Sequence, residues 1–99
     1  VLDSNPLNAW PKTYTCCFSI EKGCNYVLTL NEDGTFKDRA TDVDWSDTGK
    51  YTYDGNNSWY FDFNNSRDLY ASGNYEKFNI DTGITSWGNQ SYQACTLNK

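Results

Sequence analysis

The chain has 99 residues, of which 37% are hydrophobic and 17% aromatic, with a net charge of −5 and neither His nor Met. That length gives one domain with a small core, burying roughly 60–65% of its unfolded surface. The charge, with no basic patch or basic helix, argues against nucleic acid and an anionic membrane surface as partners, and no apolar run approaches the roughly 18 residues of a membrane-spanning helix.

Residues 1–12, VLDSNPLNAWPK, hold both prolines and show no period; they read as an N-terminal arm, with residues 13–99 as a single β domain. Strand-like runs and turn signals then alternate at close spacing. Tyr14–Ile20 runs into Glu21-Lys22-Gly23, and Asn25–Leu30 alternates with Tyr26, Leu28 and Leu30 on one face. The Asn31-Glu32-Asp33-Gly34 segment is a hairpin turn, since Asp-Gly accepts the positive φ such turns demand. Thr35–Arg39 returns, and Ala40–Asp47 reads as a polar, acidic loop around Trp45. Gly49–Asp54 and Ser58–Asn64 form a second hairpin about Gly55-Asn56-Asn57. Leu69–Asn74, Glu76–Asp81 and Ser91–Leu97 complete the series.

No segment repeats apolar residues at helical spacing. The pattern predicts an all-β fold: about eight short strands in an antiparallel up-and-down meander, each with one apolar face. A flat sheet of that size leaves its aromatic face in water, so the strands are expected to curl into a small closed barrel.

Cys16, Cys17, Cys24 and Cys95 are an even set in a short chain, as two disulfides and an oxidising compartment require. Structural zinc needs closer pairs and commonly His, so no metal is expected. Cys16 and Cys17 are neighbours and face opposite sides of a strand. One is expected to join Cys24 across the first turn and the other Cys95, stapling the first strand to the last. Parity about Glu21–Gly23 favours Cys16 with Cys24. Asn56, Asn64 and Asn89 each begin an Asn-X-Ser sequon, which agrees with a secreted glycoprotein, although Asn-rich turns explain them as well. No signal peptide is visible, as in a chain numbered from a mature N-terminus.

Within TGKYTYDGNNSWYFDFN, every second residue puts Tyr51, Tyr53, Trp59, Phe61 and Phe63 on one face. Two readings follow. The rings are the filled interior of a barrel whose width just accommodates side chains, or they line a cup in which Tyr51, Tyr53, Trp59 and Phe61 touch a ligand. Trp10, Trp45 and Trp87 sit in loop-like segments. They either plug the barrel mouths or act as exposed platforms, which makes Trp45 and Trp87 candidate ligand contacts. Asp42, Asp44, Ser46 and Asp47 alternate oxygens as calcium requires, but the glycine and distal Glu of an EF-hand loop are missing, and they read as a solvated loop. Without His the usual general base and the Ser-His and Cys-His pairs are absent, so no catalytic residue and no cofactor is expected.

The runs LTLNEDGTF, GKYTYDGNNSWYFDF and LYASGNYEKFNID resemble the strand-turn-strand texture of small lipocalin-like barrels across residues 25–97. The lipocalin Gly-x-Trp signature is not matched by Asn8-Ala9-Trp10, and Val43 stands where an aromatic should follow Thr41-Asp42. The resemblance implies a barrel that can hold an apolar ligand and assigns no binding residue. The expectation is therefore a secreted or otherwise extracellular, non-enzymatic binding module for a small apolar or glycan ligand. The alternatives are a protein-recognition module, such as an inhibitor or effector, and a structural subunit of an extracellular assembly.

Overall fold

The computed structural model of the protein describes residues 9–19, 23–84, 88 and 90–98. Eight strands follow in chain order: β1 (Lys12–Phe18), β2 (Tyr26–Leu30), β3 (Thr35–Ala40), β4 (Ser46–Tyr53), β5 (Ser58–Phe63), β6 (Leu69–Gly73), β7 (Lys77–Ile84) and β8 (Gln90–Leu97). Each pairs antiparallel with the next, and β8 returns to β1, so the meander closes into a barrel. Closure removes the sheet edges that a small β protein would otherwise expose.

Period-two alternation decides what faces inward. In β5, Trp59, Phe61 and Phe63 are buried while Ser58 and Asp62 are exposed; in β3, Phe36, Asp38 and Ala40 are buried and Lys37 and Arg39 exposed. Turn chemistry sets the registers. Asp33 Oδ1 accepts from the Thr35 amide at 3.0 Å and the Thr35 hydroxyl at 2.6 Å, and Gly34 takes φ +90°. At the next hairpin Asp54 Oδ1 accepts from the amides of Asn56 at 2.7 Å and Ser58 at 3.1 Å. Gly49 faces inward where any side chain would collide, since a Cβ there would lie 2.0 Å from the Asp62 carbonyl and 2.9 Å from the Phe36 ring.

The middle of the barrel is packed with rings. Trp59 stacks on Phe78 at 4.4 Å and on Tyr53 at 4.1 Å; Phe36 meets Phe61 at 5.4 Å and Phe63 at 4.8 Å; Tyr14 meets Phe78 at 5.0 Å. At roughly 150–250 Å² per ring and about 25 cal/mol per Å², each contributes on the order of 4–6 kcal/mol of gross burial before entropy is counted. These rings do the work that Leu, Ile and Val do in richer cores.

Two disulfides are present, Cys16–Cys95 and Cys17–Cys24. The division of Cys24 and Cys95 between the two neighbours is as expected, but the favoured partner of Cys16 is corrected. Cys16 and Cys95 are both fully buried and directly opposed across the β1–β8 seam. Cys17 points the other way and meets Cys24 outside the barrel. Parity about a turn partly outside the described residues was a weaker guide than the inward face shared by first and last strands.

The acidic segment is also corrected. The loop ends at Trp45, β4 begins at Ser46, and Asp47 is an inward, buried strand residue, not a solvated loop residue. Its oxygens accept from the Thr48 amide at 2.8 Å and from Asn65 through the side-chain amide at 3.0 Å and the backbone amide at 3.2 Å. β1 begins at Lys12, the last residue assigned to the arm.

A candidate binding cup at one end of the barrel

The two ends of the barrel differ. At the end carrying the β2–β3, β4–β5 and β6–β7 turns, the interior is closed. Lys12 is 1% exposed, donates from Nζ to the Ala9 carbonyl at 3.0 Å, and lies 4.4 Å from the Trp10 ring centroid and 5.2 Å from that of Tyr75. Burial lowers its pKa, with nearby Glu32 opposing. Beneath this plug the polar tips of the core rings all reach main-chain carbonyls. Tyr14 donates to Tyr75 at 2.6 Å, Tyr51 to Asn31 at 2.8 Å, and Trp59 Nε1 to Gly73 at 3.0 Å. Burial, reinforced by neighbouring tyrosines, pushes the Tyr14 hydroxyl well above its ordinary value; burial pushes Tyr51 up to about 12.

The opposite end holds a cavity of about 400 Å³, at the small end of the roughly 300–1,000 Å³ typical of ligand sites. It is built from strand ends. Phe18 closes β1, Tyr26 opens β2, and Asp38 and Ala40 lie at the end of β3. Phe63 ends β5, Leu69 opens β6, and Gln93 lies near the start of β8. Phe63 is one inward position beyond Phe61, Gln93 one beyond Cys95, and Asp38 one beyond Phe36, so the ring-filled core is the floor. Phe18 meets Tyr26 at 5.1 Å and Tyr26 meets Trp45 at 6.2 Å. Those three rings climb from the wall to a rim where Trp45 and Val43 are 40% and 62% exposed.

On the β6–β7 side a bulge shapes the wall. Asp81 pairs with Tyr92 but Gly83 with Ser91, leaving Thr82 as the extra residue on β7. Bulges gather beside sites because they re-aim a side chain. Here the Thr82 carbonyl accepts from Arg67 Nη2 at 2.5 Å and the Thr82 hydroxyl meets that of Ser91 at 2.7 Å. Arg67 and Thr82 both line the cup.

Asp38 is the anomaly of the site. It is 4% exposed and lines the cavity, and its Oδ1 has no hydrogen-bond partner among the described residues. Burial raises its pKa to about 7; a backbone hydrogen bond from Arg39 opposes the rise, and the charge of Asp47, its register partner on β4, adds to it.

Of the residues picked out from the sequence, Tyr51, Trp59 and Phe61 are buried in the packed middle and Tyr53 is half-buried against Trp59, away from the cup. Trp45 lines the cup. Trp87 and Asn89 lie outside the described residues. Asn56 is exposed in a turn, and Asn64, also exposed, donates from its side chain to the Thr48 hydroxyl at 2.9 Å. Among the described residues no group of three or more His, Cys, Asp or Glu side chains is placed to hold a metal ion.

The residues that sequence reasoning passed over are Asp38, Gln93, Tyr26, Phe18 and Arg67. A signal for two of them was available: in TFKDRA and QSYQACTL, Asp38 and Gln93 fall on the apolar parity. A polar residue on an inward parity near a strand end marks a place where the core stops.

The fold is thus a closed, disulfide-bonded, eight-stranded antiparallel meander barrel with one stoppered and one open end. Compared with known proteins, the chain matches no family model, no curated protein and no solved structure.

Proposed function

We propose that the protein is a secreted, non-enzymatic binding module that holds a small, largely apolar ligand in the cup at the open end of its barrel, in the manner of a minimal lipocalin-like carrier. The observation that carries this reading is the cavity of about 400 Å³ walled by Phe18, Tyr26, Trp45 and Phe63 above a filled core. A void of that size facing water is where a ligand can bury apolar surface without reorganising the core. The floor is braced by the Cys16–Cys95 bond one inward position below Gln93, so the cup stands on a cross-linked seam. The two disulfides fit an oxidising, extracellular setting, and no helix among the described residues is long and apolar enough to cross a membrane. A glycan is less well matched, because the wall is mainly apolar and a sugar needs many hydrogen-bonding partners.

A tryptophan-fluorescence titration with 2-phenylethanol, indole and a short fatty acid tests the reading. The expected result is a saturable change for at least one probe that disappears in Trp45→Phe while the fold is retained. No response to any probe, or a response unchanged in Trp45→Phe, contradicts it.

A further inference from the structure

We propose that the cup selects a ligand bearing a protonated amine on a small apolar frame, with the Asp38 carboxylate as its counter-ion; this rests on the reading of the cup as the binding site. The starting point is an imbalance between two neighbouring carboxyls. Asp38 and Asp47 are register partners on β3 and β4, and both face inward. Asp47 has its oxygens filled by Thr48 and Asn65. Asp38 Oδ1, equally buried, has none. A buried carboxylate is retained at a cost unless a cation or donors answer it, and Asp38 is one of the residues that line the cavity.

The groups around it identify what is missing. Asp47 on β4 adds negative charge. Tyr26 on β2 and Phe18 on β1 present rings, Phe63 on β5 a ring, Thr82 on β7 a hydroxyl and Gln93 on β8 an amide. Arg67, ahead of β6, is the cation among the described lining residues, and its Nη2 is engaged by the Thr82 carbonyl at 2.5 Å. The site therefore offers one carboxyl, Asp38, with the charge of Asp47 behind it, and aromatic faces on its wall. An ammonium group satisfies both, pairing with the carboxylate and lying against ring faces. An anion beside Asp38 would meet its carboxylate with the charge of Asp47 behind it, and a neutral frame would leave the carboxylate without a counter-ion.

The protonation state makes the pairing pH-dependent. With its pKa raised to about 7 by burial, Asp38 is partly protonated in the empty cup at neutral pH. When an ammonium ligand enters, the carboxyl loses its proton to the buffer and the amine keeps its own. Affinity should therefore rise between pH 5 and pH 8, with up to one proton released per ligand on the acid side.

Calorimetry with phenethylamine, its neutral isostere 2-phenylethanol and the anion 3-phenylpropanoate tests this at pH 5, 6.5 and 8, in two buffers of different ionisation enthalpy. The expected result is that phenethylamine binds at least tenfold more tightly than 2-phenylethanol at pH 8, weakens tenfold or more by pH 5, and releases protons at pH 6.5. Asp38→Asn should bring phenethylamine affinity down to that of 2-phenylethanol measured in the same variant and remove the proton release. In the wild-type protein, carbon-13 carboxyl titration should show the Asp38 midpoint near 7 falling by at least one pH unit under saturating phenethylamine. If 2-phenylethanol binds as tightly as the amine, or Asp38→Asn leaves the preference intact, or the Asp38 midpoint does not move, the amine assignment is overturned and the apolar cup stands. If none of the three binds, both fall.

Discussion

The two ends of this barrel are made from the same strands and the same alternation, yet they treat buried polarity in opposite ways. At the stoppered end Tyr14, Tyr51 and Trp59 reach backbone carbonyls of Tyr75, Asn31 and Gly73, and Lys12 is held by the Ala9 carbonyl between two rings. At the open end, Asp38 borders the cavity and keeps a buried oxygen that has no hydrogen-bond partner among the described residues. The turns explain part of the difference. Short hairpins bring main-chain carbonyls within reach of inward side chains at the stoppered end. At the other end the longer connections 41–45 and 64–68 leave the interior open, with Val43, Trp45, Ser66 and Arg67 lining the cup. A filled end stabilises the fold, and the other end keeps the cavity on which the proposed binding function rests.

Substitutions should separate the two ends, and the largest effects belong to what both ends share. The seam bond closes a loop between residues 79 apart in sequence, against 7 for Cys17–Cys24. The chain-entropy treatment assigns these bonds about 4.5 and about 2.5 kcal/mol. Denaturant unfolding of Cys16→Ser/Cys95→Ser and Cys17→Ser/Cys24→Ser should show the first pair to be the costlier; the reverse order would mean that the seam is held mainly by its hydrogen bonds.

Next comes the floor of the cup. Phe61 is fully buried amid Phe36, Tyr51 and Phe78, so Phe61→Ala should cost about 3–5 kcal/mol. Its outward neighbour Asp62 is exposed, and Asp62→Ala should leave the melting temperature nearly unchanged. A ring that merely walled a pre-existing void would show the opposite pattern, with binding lost and stability kept.

Asp38 gives a pH signature of similar size. Its carboxyl stands at about 7 in the fold against an ordinary 3.8, so the folded state binds a proton that the unfolded state has already released between those values. Stability is then fully present below about pH 4 and declines as pH rises through about 7, by on the order of 4 kcal/mol at most. In Asp38→Asn that decline is absent. The melting temperature of the variant relative to wild type should therefore climb from pH 4 to pH 8, and a constant difference would show that Asp38 is not buried as described.

Smaller effects distinguish the two ends directly. Tyr14→Phe removes the bond to the Tyr75 carbonyl and should cost about 0.5–1.5 kcal/mol, measured by urea unfolding. Trp45→Ala, on a rim residue 40% exposed, should change stability by no more than about 0.5 kcal/mol while abolishing the fluorescence response to ligand.

How far the sequence revealed this molecule follows from what parity can and cannot encode. Alternation in Ser58–Phe63 and Gly49–Tyr53 placed Tyr51, Tyr53, Trp59, Phe61 and Phe63 on one face, and in the fold they share the interior. Asp33-Gly34 marked its turn, and the even, closely spaced strands marked a meander. Alternation does not say how deep along the barrel an inward residue lies, and depth separates Phe61, in the floor, from Phe63, on the cup. Asp47 was hidden because its segment, TDVDWSD, is polar in composition, and composition outweighed its parity with Gly49 and Tyr51. The cysteine pairing needed knowledge of which face closes the seam, which the short first turn could not supply.

If ligand is held at the open end, a residue-resolved map of ligand contact will show it there. Proton–nitrogen correlation spectra of the labelled protein titrated with phenethylamine at pH 8 should show saturable shifts at Phe18, Tyr26, Ala40, Trp45, Phe63 and Gln93. The amides of Leu30, Gly73, Tyr75 and Lys77 should stay still. Shifts concentrated at Tyr75 and Lys77, or spread evenly along the strands, would contradict the account.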